Sequence, residues 1–518
     1  MQKNSILFVV LSATVIILWY AFFTPQHNQI NQAPTKQVQS EKIETSNSEV
    51  LQKNQIQNEN ISRPVEEEKI NIETEKYKAV LTNKGAAVLS WSVKEKNGDW
   101  VNLVFPGSAP LMANFPGSVY NIISKSNDKI VFEYISREGW KITKTYTLSD
   151  SYMNNLNIVV DRNYSTSTPE ISLEWGPGLG TDTKEENENI SQTRALAYTV
   201  DKPYKLKKLK NEYELASSCK WAAIDNRYFL AAFIPEKSSD FDKIIPSRLD
   251  KKHPYSLTMV ATVPQNIDKK EYSVNFYLGP KSYTYLKTYN LGLEKTVDFG
   301  FFGFLGKIAF AVLTFFYKVT HNYGWAIIMI TVVIQILVFP LTLKSLKSAA
   351  AMKRVQPLIK DIQTKYKNDP KRLQIEMLNI YRTKKINPLG GCLPMLLQLP
   401  IFWAFFTMLR NAYELRNADW ILWVKDLSAS DQFMHLGDFN VNLLPLLMGL
   451  GMFFQQRMTM AVSDPTQKRI MYLMPIIFTF MFWSFPSGLV LYWLTNSIIS
   501  MIEQYFIIKK DEINVKYS

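Results

Sequence analysis

The sequence predicts a membrane protein in two parts, an antiparallel β-sandwich outside the cytoplasm and six transmembrane helices. Three observations carry this. Between about Tyr77 and Pro280, apolar residues recur with a period of two, as in half-buried strands. From Gly324 onward the chain returns repeatedly to apolar runs, the first of which, Gly324–Leu343, has the length of a membrane-crossing helix. The charge is also lopsided. Of the formal net +13, Lys344–Lys385 alone carries +9, between two of those runs, and such a bias marks a cytoplasmic loop.

Taken in order, the chain opens with Ile6–Phe23, eighteen apolar or small residues preceded by Lys3. It ends Ala21-Phe22-Phe23-Thr24-Pro25 and not in a small-x-small cleavage site, so residues 1–24 read as an uncleaved signal anchor with a cytoplasmic N-terminus. Residues 25–76 are rich in Gln, Asn, Glu, Lys and Ser and read as a flexible linker. Residues 77–295 form the β domain. In Lys141–Leu148, Ile142, Lys144, Tyr146 and Leu148 share one face and the threonines the other. Turn signals at Asn83-Lys84-Gly85 and Lys96-Asn97-Gly98 separate such runs.

Residues 296–322 are apolar but interrupted by three glycines and Lys307. A span here would move the +9 segment to the outer side, so the stretch reads as an amphipathic helix lying in the outer interface. Residues 323–508 form the membrane core. Within it, residues 344–390 are a cytoplasmic helical hairpin of two pieces, Ala349–Tyr366 and Pro370–Lys385, broken at Lys367-Asn368-Asp369-Pro370. Further spans are expected at Cys392–Leu409, Leu443–Phe454, Ile470–Phe485 and Leu489–Ile508, with a short cytoplasmic tail at 509–518. Loop charges then alternate in sign, and both termini fall in the cytoplasm.

Enzyme motifs are nearly absent. His27, His253, His321 and His435 are scattered without ligand spacing. Cys219 and Cys392, one in a polar region and one in a span, imply neither a disulfide nor a thiolate site. Gly306-Lys307 lacks the Ser/Thr and the glycine spacing of a phosphate loop, and Gly176–Gly180 reads as an extended loop. No catalytic set, metal or cofactor is expected. The positive charge sits in a membrane loop, so no specific nucleic acid is expected either.

Membrane physics remains. Leu443–Phe454 reaches only about 18 Å as a helix and Ile470–Phe485 about 24 Å, short of a hydrocarbon core of about 30 Å; such mismatch thins the bilayer locally. Thr331, Gln335, Gln398, Gln455, Thr495 and Asn496 are polar at depth. They line a wet cavity, or they bond helix to helix.

The motifs GPK (279–281), VDFGFFGFLGK (297–307), FPLT (339–342), NPLGGCLPMLLQLPIF (387–402), ELRNADWILWVKDLSASD (414–431) and FPSGLVLYW (485–493) resemble, in order, those of the YidC family of bacterial membrane protein insertases. The resemblance implies a periplasmic β-super-sandwich of sugar-mutarotase-like shape without that activity. It also implies an inner-membrane bundle of five core helices around a hydrophilic groove closed to the periplasm. Nascent hydrophobic segments would enter that groove and slide into lipid without nucleotide hydrolysis, alone or with the Sec translocon.

The family's groove residues fall here on Thr331, Tyr492 and Trp493, with Gln335, Gln398 and Asn496 as further lining. The family usually has tyrosine where this chain has Trp493, and arginine where it has Gln335. Ribosome docking would rest on the basic hairpin, at Lys353, Arg354, Lys360, Arg372, Lys384 and Lys385.

Two other readings compete. A secondary transporter would place Asp, Glu, Lys or Arg centrally in a span, and none between Gly324 and Tyr505 does. A membrane-anchored carbohydrate-binding sandwich needs one span, not six.

Overall fold

The computed structural model describes residues 66–516 except 106–107, 109, 112–117, 163–169, 181–191, 200–204, 210–212, 215–218, 249–253, 385, 387–392, 437–438 and 460–464. The anchor expected at 1–24 and most of the linker lie outside the described residues. The β-rich part contains one nine-stranded and two four-stranded sheets. The large sheet runs in the order Lys205–Leu209, Arg194–Thr199, Cys219–Asp225, Phe229–Pro235, Lys269–Pro280, Met153–Arg162, Trp140–Thr147, Lys129–Ile135 and Asn121–Lys125. One smaller sheet comprises Lys69–Glu73, Tyr77–Thr82, Ala87–Lys94 and Trp100–Asn102. The other comprises Tyr213–Glu214, Lys243–Ser247, Ser256–Thr262 and Glu170–Trp175. Pairing is antiparallel throughout, and the large sheet stays open.

The three sheets share one core. Trp91 and Tyr77 from the first small sheet, Trp175 and Met259 from the second, and Tyr146 and Phe276 from the large sheet belong to a single buried cluster. The β domain starts earlier than the sequence reading placed it. Lys69–Glu73 is already a strand, with Ile70 and Ile72 facing inward and polar residues between them. Two apolar residues inside a polar stretch were too few to mark it as a strand. Cys219–Asp225 and Phe229–Pro235 depart from simple alternation because they bury both faces. A Tyr413 ring covers Phe229 from outside the sheets, and Tyr285 and Tyr289 cover Tyr152 and Tyr277. The two turn signals do turn the chain, with Gly85 and Gly98 at φ 69° and 92°.

Lys144 lies inward beside Ile142 and Tyr146, as the alternation requires, and is fully buried. Its ammonium donates to the carbonyls of Gly85 (3.2 Å), Ala86 (2.9 Å) and Leu111 (2.6 Å), tying the strand to the neighbouring sheet. Burial pushes its pKa down to about 7. The folded state therefore binds fewer protons than the unfolded chain between about pH 7 and the ordinary lysine range. Stability should rise with pH through that window, by at most about 1.4 kcal/mol per unit. Lys144→Met should flatten this slope, as read from chemical unfolding of the full chain between pH 7 and 10.

The helices are α1 (Tyr283–Thr288), α2 (Gly303–Thr320), α3 (Tyr323–Lys365), α4 (Pro370–Thr383), α5 (Leu393–Asn411), α6 (Leu443–Thr459), α7 (Pro465–Met481) and α8 (Ser487–Lys516). The first apolar run and the first arm of the basic segment are one 43-residue helix, not separate pieces, and Pro340 and Pro357 lie inside it. Lys344–Ser348 contains no glycine or proline to stop it. The break after Lys365 is real: the Asp369 side chain accepts from Arg372 N at 3.1 Å, and Pro370 opens α4. Helix α6 runs five residues beyond its apolar run, through Gln455-Gln456-Arg457. Helices α6 and α7 have seventeen residues each, about 25 Å. By length and composition, α2 and α3 are able to cross a membrane, among the described residues.

Helix α8 packs against α3, α5 and α6, α2 against α3 and α5, and α6 against α7. Gly449 lets α6 approach α7 so closely that a Cβ there would collide with Thr479. Outward faces carry exposed Ile336, Leu337, Leu450, Ile476, Phe480 and Ile502, surfaces suited to lipid.

Two polar clusters lie where the β-rich domain meets the segments that lead into and out of the helices. In the first, Arg416 donates to Glu95 at 2.5 Å and Asn417 to the other Glu95 oxygen at 2.7 Å. Lys96 donates to the Glu414 carbonyl at 2.6 Å and lies over the rings of Tyr323 and Tyr413. Burial raises the Glu414 carboxyl above its usual range, partly offset by the Ser282 hydroxyl that donates to it at 2.8 Å. In the second, Asp225 accepts from Arg194 and from Lys281, the lysine of the GPK motif, at 2.9 and 3.0 Å. Arg194 also donates to Thr296 O at 2.9 Å, just ahead of α2.

Candidate functional site

The polar residues of the membrane helices meet at one junction. On α3, Thr331 and Gln335 are one turn apart and face inward, both buried. The Gln335 amide donates to Asn496 Oδ1 on α8, and the Gln398 amide on α5 donates to the same oxygen at 3.0 Å. One side-chain carbonyl thus holds two amides from two other helices. Thr331 satisfies itself by donating to Ile327 O at 2.6 Å, the local back-bonding open to a threonine within a helix.

One turn before Asn496, Tyr492 is buried and stacks on Phe405 with centroids 4.8 Å apart. Trp493 sits among Phe402, Phe482 and Phe478 at 5.0, 5.3 and 5.9 Å. The structure therefore brings Gln335, Gln398 and Asn496 into contact, and it places Thr331, Tyr492 and Trp493 around that contact. For the three amides, helix-to-helix bonding is what the geometry displays. Ser497 Oγ and Gln504 Oε1, also on α8, are buried without a hydrogen-bond partner among the described residues. Neither was singled out in the sequence, although Ser497 directly follows Asn496.

The hairpin residues form a second group. Lys353, Arg354 and Lys360 on α3, Arg372 on α4 and Lys384 just after it are exposed; Lys385 lies outside the described residues. Glu95, Lys96 and Arg416 of the first polar cluster carry no signal as partners in the sequence, because nothing local marks a pair 321 positions apart.

Apolar outward faces, a polar three-helix junction and an attached β-rich domain are the features of an integral membrane protein. Comparison with known proteins makes the assignment specific. The family profile described as 60Kd inner membrane protein matches residues 315–514, and that of the YidC periplasmic domain matches 114–312. A membrane protein insertase YidC from Endomicrobium trichonymphae is 69% identical over 526 residues, covering 100% of both chains. One from Syntrophus aciditrophicus is 33% identical, covering 98% of this chain and 100% of its own. The chain belongs to the YidC family of membrane protein insertases. A crystal structure of an active YidC insertase covers 85% of this chain and 92% of its own at 21% identity and TM-score 0.39. A galactose mutarotase-like protein from Lactobacillus casei covers 41% and 100% at 12% identity and TM-score 0.30. Both scores are too low to bear on the fold.

Proposed function

We propose that the chain receives nascent hydrophobic segments at the α3–α5–α8 junction and releases them into the inner-membrane bilayer without nucleotide hydrolysis. The observation that carries this is the convergence of Gln335 and Gln398 on Asn496 inside helices whose outer faces are apolar. A segment with polar backbone and flanks can exchange hydrogen bonds with these amides, and its apolar side chains can slide out along the lipid-facing surface. Helices α6 and α7, about 25 Å long, thin the adjacent bilayer and lower the cost of moving a polar tail across it.

In this reading α2 lies along the interface. Phe310, midway along it, meets the β-domain residue Tyr283 edge-on at 5.4 Å, a contact that a helix centred in the bilayer would not make. Both termini lie in the cytoplasm, and six spans cross the membrane. The exposed cations of the hairpin dock the ribosome, and the Sec translocon is a second partner.

Gln335 keeps hydrogen bonding without charge, so acidic tails gain no electrostatic help. The purified chain in liposomes should protect the translocated tail of a single-span substrate from protease without nucleotide. Gln335→Arg should raise protection of an acidic-tailed substrate severalfold over a neutral-tailed one, while Gln335→Ala leaves that ratio unchanged. Equal insertion by all three proteins would remove this position from the mechanism. No protection by any correctly folded and oriented protein would overturn autonomous insertion.

A further inference from the structure

The loop between α5 and α6 closes on the first turn of α3. Asn322 caps α3 and donates to the carbonyls of Asp419 at 3.3 Å and Trp420 at 3.1 Å. The Trp420 ring lies against Gly324, where any Cβ would collide with it, and meets Trp325 edge-on at 5.9 Å. Beyond it the chain turns tightly, with Trp420 N donating to Val424 O at 3.0 Å and Val424 N to Ile421 O at 3.2 Å. Trp423 points inward, its Nε1 donating to Asp431 at 3.2 Å. At the tip Ile421 is 37% and Leu422 73% exposed, beside Trp325 at 46%. Leu422 also holds φ 55°, a left-handed conformation that leucine rarely adopts. Asp419 and Lys425, both exposed, bracket the tip.

We propose that this tip is an anchor in the phospholipid leaflet on the side of the β-rich domain. Ile421 and Leu422 enter the acyl boundary, Trp325 and Trp420 sit at headgroup level, and Asp419 and Lys425 remain among headgroups and water. This rests on the reading that Gly324–Leu343 crosses the bilayer. The depth follows from attachment: Trp325 is the third residue of α3, and the Asn322 bonds hold the loop level with it, where the hydrocarbon begins. Tryptophans favour that level. A second protein is a poor occupant, because two side chains offer far less than the roughly 800 Å² per partner of a stable interface.

The test is a single fluorescent label in the full chain, with Cys219 and Cys392 replaced by alanine. The protein is reconstituted in phosphatidylethanolamine–phosphatidylglycerol vesicles. Labels are placed at Leu422→Cys, Asp419→Cys and the mid-span site Ile336→Cys. The 422 label should emit to the blue of 419, be quenched by spin-labelled lipid and escape aqueous iodide. An aqueous 422 label beside a lipid-quenched 336 label overturns the anchor and leaves the span intact. If 336 is also aqueous, the span reading falls with it. Shielding of 422 that grows with protein-to-lipid ratio would assign the tip to a second copy and also overturn the proposal.

Discussion

Arg416→Met is expected to loosen the β-rich domain from the membrane helices at a cost of about 3–5 kcal/mol, because it strands Glu95 as a buried carboxylate. Both side chains are almost inaccessible, at 7% and 5%, so neither water nor salt can replace the lost partner. The loss should be local. Amide exchange should accelerate at residues 95–98 and 414–417 while the sheets stay protected. Glu95→Gln in the Arg416→Met background should recover most of the difference, since Gln can still accept the Asn417 amide. Unchanged exchange in the single variant would show that the pair does not hold the domain.

Asp225→Asn should cost a similar amount and act globally. Asp225 faces two cations at once, and burial already pushes Lys281 down to about 8 against the pull of that carboxylate. Removing the charge leaves Arg194 and Lys281 close together, with only the half-exposed Asp298, 3.5 Å from Arg194, to offset them. A loss of about 3–5 kcal/mol corresponds to a fall in the β-domain transition of about 10 °C. Adding Lys281→Met should restore part of it by removing one stranded cation. If the double variant is no more stable than the single, the cluster is not electrostatically coupled.

How much of this was legible depended on range. The alternation of Ile142, Lys144, Tyr146 and Leu148 put a lysine on one face with three apolar residues, and that face is the buried one, because a strand's period is set by its backbone whatever the side chain. Asp369-Pro370 marked a helix start through local cap chemistry. The carbonyls that make Lys144 tolerable come from residues 33 to 59 positions away, and no local pattern predicts them. The continuity of α3 escaped notice because a change from apolar to basic composition looks like a boundary, although the backbone needs none there. At the polar junction the residue types were readable, but the shared acceptor was not. Which carbonyl receives two amides is a property of packed helices.

Helix α3 has one mechanical consequence. At 43 residues it is a rod of about 65 Å, with Gln335 in one half and the basic arm in the other. A load on the far end acts through a lever, and a stiff rod delivers torque to the Gln335 face in full unless it bends. Of its two proline breaks Pro357 lies within the arm itself, and the compliant point that bears on Gln335 is Pro340, which leaves the Ile336 carbonyl without its usual helical donor. That point lies five residues past Gln335, between the junction and the arm. Small swings of the arm are therefore absorbed there, and only larger excursions, or ones aligned with the axis, carry force through to the amides.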